Sequence, residues 1–161
     1  MMSDKITNLY SLKQIKNSRE LEDNLEYLRK TRNSSKKFMT RHQNQITPEM
    51  QNKWYNTLPS NITPYVFMIC ELGVIFYPCG YGIILVENDI ALLTGVIDKT
   101  ERGQGFGRKL FLDLIEEAKT MAKKVCLEVL ETNNIAIRLY ESLGFVETSR
   151  DHQVITMELK K

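Results

Sequence analysis

The residues of this chain best suited to chemistry stand between Val96 and Arg108, which read Val-Ile-Asp-Lys-Thr-Glu-Arg-Gly-Gln-Gly-Phe-Gly-Arg. Gly103, Gly105 and Gly107 alternate there, flanked by Arg102 and Arg108. An apolar run from Ile90 to Ile97 leads in and an amphipathic run from Leu110 to Ala122 leads out, so the stretch reads as strand, glycine-rich loop and helix. The first amides of a helix have no internal partner and carry partial positive charge. Glycine lets such amides close on an anion without a Cβ in the way. The stretch is therefore a candidate phosphate cradle, with Arg102 and Arg108 adding positive charge beside it. A P-loop would need Lys and then Ser or Thr after its last glycine, and Arg108 follows Gly107 instead. A dinucleotide fingerprint, G-x-G-x-x-G, fits Gly103 and Gly105 but finds Arg108 where its last glycine belongs.

What remains, R-G-x-G-x-G, resembles the acyl-CoA pyrophosphate loop of the GNAT acetyltransferase superfamily, which joins that family's fourth strand to its third helix. The resemblance continues in Leu127-Glu128-Val129 and in Asn133-x-x-Ala136-Ile137-x-Leu139-Tyr140-x-x-x-Gly144-Phe145, similar to the family's fifth strand, fourth helix and following turn. It covers the second half of the chain. It implies an α/β fold with a mixed, mostly antiparallel central sheet, flanked by helices and containing a splayed parallel strand pair. It also implies acetyl-CoA as co-substrate, with no metal. By this resemblance the backbone amides of Gly103, Gln104, Gly105, Phe106, Gly107 and Arg108, beside Arg102, hold the pyrophosphate. The main chain of Val96 and Ile97 pairs with the pantetheine arm, Asn133 touches that arm, and Tyr140 protonates the departing thiolate.

Physical chemistry allows the tyrosine role, because a phenol with a pKa of about 10 is protonated at neutral pH and can donate to sulfur. A helix tyrosine packed on the core is the plainer reading of Tyr140, and a helix cap is an equally good reading of Asn133. The general base is open. An alkyl amine must lose a proton before it attacks, and the candidate carboxylates are Glu71, Asp98 and Glu128, with a water chain as the alternative. Strand alternation aims Glu128 either at the gap or at the opposite face. His42 and His152 stand in polar segments and read as solvated. No His, Cys or Asp cluster has metal spacing.

In the resembled family the acceptor pocket comes from the first helices and the loop between them. Here Leu28-Arg29-Lys30-x-Arg32-Asn33, Phe38-Met39 and Gln45-Ile46-Thr47-Pro48-Glu49 followed by Trp54 resemble GNAT enzymes that acetylate nucleotide-linked amino sugars. They resemble ribosomal-protein N-terminal acetyltransferases more loosely. Arg32, Asn33 and His42 would then be available to a polar or phosphate-bearing acceptor, while Trp54 reads as a core anchor. The expected partner is a small-molecule amine. A peptide or protein amine and a non-catalytic acyl-CoA sensor are the alternatives.

The elements that must position these residues can be read in order. Lys5 to Leu12 reads as a first strand, and Asn17-x-x-Glu20 as a capping box opening a helix from Arg19 to Lys30. Thr31 to Gln45 lacks a period and reads as loop. Thr47-Pro48 starts a second helix running to Leu58. Tyr65 to Cys70 is a strand, followed by a turn at Glu71-Leu72-Gly73, a short run from Val74 to Tyr77, Pro78-Cys79-Gly80, and another strand from Tyr81 to Val86. Glu87-Asn88-Asp89 turns the chain back into Ile90 to Ile97. After the glycine loop, Leu110, Phe111, Leu114, Ile115, Ala118, Met121 and Ala122 share one helical stripe. Val125 to Leu130 is a buried strand, parallel to the one before the loop because a helix connects them. Ile135 to Leu143 is a helix stopped by Gly144. Phe145 to Thr148 and Val154 to Leu159 close the sheet around a turn from Ser149 to Gln153.

The 161 residues suit a single domain spanning 1–161, and 42% apolar content fills one core. A net charge of +2, with its basic residues scattered, makes no demand for nucleic acid. Cys70, Cys79 and Cys126 are odd in number and form no C-x-x-C, which argues against a disulfide framework. Cys126 reads as core and Cys79 as partly exposed. The expectation is a cytoplasmic enzyme without a membrane partner, monomeric or a homodimer.

Overall fold

The computed structural model describes residues 5–41, 43–71 and 75–160. Among the described residues seven strands form one sheet in the order β1-β2-β3-β4-β5-β7-β6. They are β1 (Ile6–Ser11), β2 (Ile62–Glu71), β3 (Ile75–Glu87), β4 (Ile90–Ile97), β5 (Lys124–Leu130), β6 (Phe145–Asp151) and β7 (Val154–Leu159). Four α-helices accompany them among the same residues: α1 (Ser18–Ser34), α2 (Pro48–Asn56), α3 (Phe106–Lys119) and α4 (Asn134–Ser142). Each neighbouring pair is antiparallel except β4 and β5, which run parallel with α3 as their crossover. This is the mixed, mostly antiparallel α/β sheet that the sequence implies.

Helix starts follow their caps. Asn17 accepts from the Glu20 amide at 3.0 Å, and the Thr47 hydroxyl accepts from the Met50 amide at 3.2 Å with Pro48 at the first turn. Helix ends fit the sequence less well. α1 continues one turn beyond Lys30, because Thr31 and Arg32 are buried rather than solvated. α2 stops at Asn56, two residues short of Leu58. α3 begins at Phe106, immediately after Gly105, and ends at Lys119, so Met121 leaves the stripe and is 38% exposed. Gly144, at φ +101°, closes α4 in the left-handed region as expected.

The meander departs from its sequence reading at one place. The residues from Ile75 through Pro78-Cys79-Gly80 to Glu87 are a single strand, not two. Phe67 faces Gly80 and Met68 faces Pro78, so Cys79 is the extra residue of a β-bulge. Proline and glycine here mark a bend within a strand, and they hid its continuity. Cys79 is fully buried, contrary to the expected partial exposure, and burial pushes its thiol up to about 12. The turn expected at Glu71-Leu72-Gly73 lies mostly outside the described residues. Two hairpins turn on two residues each with positive φ, Asn88-Asp89 and His152-Gln153. The second turn is therefore tighter than Ser149 to Gln153, and β6 runs on to Asp151.

Each face of the sheet carries its own core. Under α3 and α4 lie Phe67, Ile84, Leu93, Leu110, Leu114, Leu127, Tyr140 and Phe145. On the other face Leu25 and Leu28 of α1 pack with Leu12, Val66, Tyr81 and Val96. Among the described residues no helix is long and apolar enough to cross a membrane. The approach of α3 to the sheet depends on glycine, since a Cβ on Gly95 would stand 2.8 Å from the Phe111 ring. Gly95→Ala is expected to lower stability by about 1–3 kcal/mol through overpacking, measured by urea unfolding.

Candidate active site

The site begins where two strands part. β4 and β5 pair from Ile90 with Lys124 to Leu93 with Leu127, and the ladder then stops. Beyond that point β4 stays on β3 as far as Ile97, and β5 stays on β7 as far as Leu130. A cavity of about 970 Å³ occupies the gap. Its walls include Gly107, Phe111, Leu139 and Tyr140 on the α3–α4 side and Arg32, Met39, Trp54 and Ile83 on the α1–α2 side. The cavity thus joins the two faces of the sheet through the splay.

At one end stands the glycine loop. Gly103 and Gly105 have φ +79° and +85°, and Gly105 is the residue before α3. The first backbone bond at this end runs from the Lys109 amide to the Gly105 carbonyl. Among the described residues, the amides of Gly103, Gln104, Gly105, Phe106, Gly107 and Arg108 have no backbone acceptor. A Cβ on Gly103 would meet nothing within 4 Å, so the cradle is open where an anion would enter. The Phe106 side chain is buried in the core, leaving only its backbone to the cradle. Gln104 donates to Glu101 at 3.2 Å.

The two arginines are engaged elsewhere. Arg108 donates to Ser142 on α4 at 2.9 Å. Arg102 donates to the Ile97 carbonyl at 3.0 Å and to Ser35 at 2.9 Å, and lies 5.6 Å from the centre of the Phe38 ring. Arg102 therefore ties the loop to the C-terminal end of α1. The strand edge also differs from its sequence reading. The Asp98 amide donates to the Cys79 carbonyl at 2.8 Å, and antiparallel alternation then commits the main chain of Val96 to β3. Gly95 and Ile97 are the residues whose peptide groups face the gap, and the Ile97 carbonyl already accepts from Arg102.

Tyr140 faces the cavity from α4 and is 9% exposed. Its ring meets Phe111 edge-on at 4.9 Å and Phe145 at 6.1 Å. Among the described residues its hydroxyl has no hydrogen-bond partner, and burial pushes the phenol above its ordinary value. Its hydroxyl hydrogen is therefore uncommitted. Asn133 lines the same cavity and also caps α4, accepting from the Ala136 amide at 3.3 Å, so the two readings of this residue coexist.

Of the three candidate carboxylates, Glu128 alone is in the cavity wall. Val125, Leu127 and Val129 turn into the α3–α4 core, which directs Glu128 to the α1–α2 side. Arg41 grips it with two bonds, Nε at 2.9 Å and Nη2 at 2.8 Å, and Thr40 adds a third at 3.3 Å. Glu71 is bound to Lys5 at 3.2 Å and to Tyr77 at 3.0 Å, and the hydrogen bond from Lys5 holds it below the usual carboxylate range. Asp98 caps the short 3-10 turn Lys99–Glu101 and accepts from Tyr27 at 3.4 Å. Neither reaches the cavity wall.

The α1–α2 side of the cavity is walled by the segment after α1. Asn33 accepts from the Ile46 amide and donates to the Ile46 carbonyl, both at 2.9 Å, which engages its oxygen and one of its two amide hydrogens. It clamps this segment to α1. Arg32 is 8% exposed, lines the cavity, and donates to Asn33 at 3.4 Å and to the Asn44 carbonyl. Trp54 is half-buried in the cavity wall, in place of the core position expected for it. His42 lies outside the described residues, and His152 is exposed beside Asp151. Among the described residues no three His, Cys, Asp or Glu side chains gather as a metal site. Sequence reasoning missed Arg41, Thr40, Ser35 and Gly95. The only signal for Gly95 was its place inside the apolar run, and the other three lay in a polar stretch without period.

Residues 25–145 match the Acetyltransferase (GNAT) family, and the chain belongs to that family. It is 42% identical over 59 residues to an L-methionine sulfoximine/L-methionine sulfone acetyltransferase of Salmonella typhimurium, covering 36% of this chain and 34% of that protein. It is 45% identical over 56 residues to the L-amino acid N-acyltransferase MnaT of Escherichia coli, covering 34% and 33%. The chain thus spans about a third of the length of the curated relatives it matches. Its fold is shared with the yncA protein of Salmonella typhimurium, solved with its cofactor acetyl-CoA, at TM-score 0.69 and 15% identity, over 98% of this chain and 94% of that one. Because Asn33 fixes the wall of the acceptor half, Asn33→Ala is expected to cost about 1–3 kcal/mol by leaving the Ile46 groups unpaired. Urea unfolding checks the loss, and faster proteolysis within residues 39–46 locates it.

Proposed function

We propose that this chain is an acetyl-CoA-dependent N-acetyltransferase acting on the primary amine of a small molecule. The observation that carries the reading is the continuous cavity, which starts at uncovered helix amides, passes a parted strand pair and ends in a walled chamber. When bound, acetyl-CoA supplies the acyl thioester. The amides of Gly103 to Arg108 bind its pyrophosphate, and the peptide groups of Gly95 and Ile97 orient the pantetheine arm across the gap. Asn133 borders that arm from the cap of α4.

The amine nitrogen forms a bond to the thioester carbonyl carbon as the carbon–sulfur bond breaks. Glu128, on the acceptor side, takes one proton from the ammonium through water before the attack. Tyr140 Oη gives its proton to the departing sulfur and regains one, through water, from the newly acylated nitrogen. The apolar, aromatic wall made by Phe111 and Tyr140 excludes water and strengthens these polar contacts.

A small acceptor fits better than a peptide. Adding a peptide as a strand needs an open edge, whereas Asn33 with Ile46 and Arg41 with Glu128 hold a wall over this side. The names of the two curated relatives favour an amino-acid amine. The nucleotide-sugar reading keeps Arg32, while Ile46 engages the oxygen and one of the two amide hydrogens of Asn33.

Turnover separates an enzyme from an acyl-CoA sensor. Thiol release from acetyl-CoA is expected with an amino-acid acceptor such as L-methionine sulfone, and acetyl-CoA binding with no acceptor acetylated across amino acids, amino sugars and peptides would favour the sensor. Tyr140→Phe is expected to lower kcat by about a hundredfold or more, the usual scale of general acid catalysis, with KM for acetyl-CoA little changed. Because burial raises the Tyr140 phenol, it stays protonated past its ordinary value of 10.0. The wild-type rate should therefore rise with pH as the amine deprotonates, with no falling limb from Tyr140 below that value.

Acetyl-CoA at about a hundred times its Kd should stabilise the fold by roughly 2.7 kcal/mol. Gly107→Glu should abolish this shift. It suits the test better than a change at Gly105, because Gly107 has no positive φ and its Cβ would make an ordinary 3.5 Å contact with Leu139.

A further inference from the structure

The charges on the acceptor side of the cavity do not balance. Three arginines, Arg29, Arg32 and Arg41, line it. Arg41 is neutralised by Glu128 through a two-bond pair. Arg29 has Glu26 at 3.9 Å, although Lys30 draws on the same carboxylate at 3.2 Å. Arg32 is the most buried of the three at 8% exposure, and among the described residues no carboxylate lies within 4.0 Å of it.

Only Nη1 of Arg32 is bonded, to Asn33 and to the Asn44 carbonyl. Its Nε and Nη2 hydrogens have no acceptor among the described residues. Burial lowers its pKa, and only the Tyr81 phenol opposes that effect. A guanidinium remains charged in proteins, and its unbonded hydrogens, open to the cavity, are best satisfied by an anion. Its planar fork matches an oxyanion with two oxygens.

Resting on the acetyltransferase reading above, we infer that Arg32 is the specificity residue that binds an oxyanion on the acceptor, so that the substrate is an amine carrying a carboxylate or a phosphate. Arg32 takes the anion of such an acceptor beside Asn44, and its amine reaches the gap beside the Arg41–Glu128 pair. The hydrophobic wall of Met39, Ile46, Trp54 and Ile83 covers the apolar part between them. A polyamine or a neutral amine leaves Arg32 unmatched.

The test pairs acceptors that differ only in the anion: L-methionine sulfone with its carboxamide, and O-phosphoethanolamine with ethanolamine. The wild-type protein is expected to acetylate the anionic member of at least one pair with the lower KM, and the pair concerned tells carboxylate from phosphate. Arg32→Gln should raise KM for that anionic acceptor by about tenfold or more, the scale of a lost charge-assisted hydrogen bond. KM for its neutral counterpart and for acetyl-CoA should stay unchanged, and Arg32→Lys should restore part of the preference. Equal effects on both members of a pair, or a wild-type preference for the neutral amines, would overturn the assignment while leaving acetyl transfer intact. Calorimetric titration of L-methionine sulfone and of inorganic phosphate into wild type and Arg32→Gln gives a readout independent of turnover. Anion binding lost in the variant, without transfer in either protein, would uphold the anion site and remove the enzymatic reading. No anion binding and no preference would remove the site.

Discussion

The structure depends on two parallel strands that cannot stay paired. β5 is bound along its far edge to β7, and β4 along its far edge to β3, and each pairing continues after Leu93 and Leu127 have parted. Strands in a sheet twist relative to their neighbours, and two strands held by different partners diverge. Backbone groups exposed in this way need other acceptors and donors. Arg102 satisfies one, the Ile97 carbonyl. The remaining groups of Gly95 and Ile97 form a short edge inside the molecule, suited to an extended ligand carrying amides. Leu110 and Leu114 cover one face and Leu25 and Leu28 the other, and Leu28 and Leu110 also line the cavity, so the two cores border the gap from either side.

The two ends of the cavity solve different electrostatic problems. At the donor end positive potential comes from backbone amides and a helix terminus, which are fixed, uncharged and insensitive to pH. The guanidinium groups of Arg102 and Arg108 are tied to Ile97, Ser35 and Ser142, so they contribute field and rigidity more than direct contacts. At the acceptor end the charges belong to side chains on separate elements, Arg32 on α1, Arg41 after it, and Glu128 on β5. The middle carries no full charge, and Tyr140 stands there among aromatic rings with its phenol kept neutral by burial. The reacting bond would thus sit in the least polar part of the cavity, where the few polar groups present act most strongly.

The sequence was legible where function is local. The loop, its glycines, the α3 stripe as far as Ala118 and the α4 cap lie within short windows, and their periods and cap residues carry over into the structure. The same is true of Gly144 and of the parallel β4–β5 pair. It was less legible where a residue type admits two uses. Pro78-Cys79-Gly80 has the composition of a turn, yet it is a bulge inside β3 that leaves Cys79 fully buried. Thr31 and Arg32 are polar, yet they are buried and extend α1 by a further turn. Val96 was expected beside the pantetheine arm, and the hydrogen-bond phase of the β3–β4 ladder, invisible in the sequence, commits its main chain to β3 and leaves Gly95 facing the gap.

The acceptor half illustrates the deeper limit. Its wall is built by contacts that join distant residues through side chain and backbone: Asn33 to Ile46, Arg32 to Asn44, Arg41 to Glu128, Arg102 to Ser35. None of these has a period or a motif, because a backbone carbonyl offers the same acceptor whatever residue bears it. The segment between α1 and α2 can therefore change almost every side chain and still cross the cavity mouth, provided a few anchors remain. The donor half lacks this freedom, since uncovered amides require glycine at fixed places. A cavity built this way leaves its glycine end readable in sequence. The charge and shape of the opposite wall follow no fixed pattern, and in this chain that wall holds a buried guanidinium on α1.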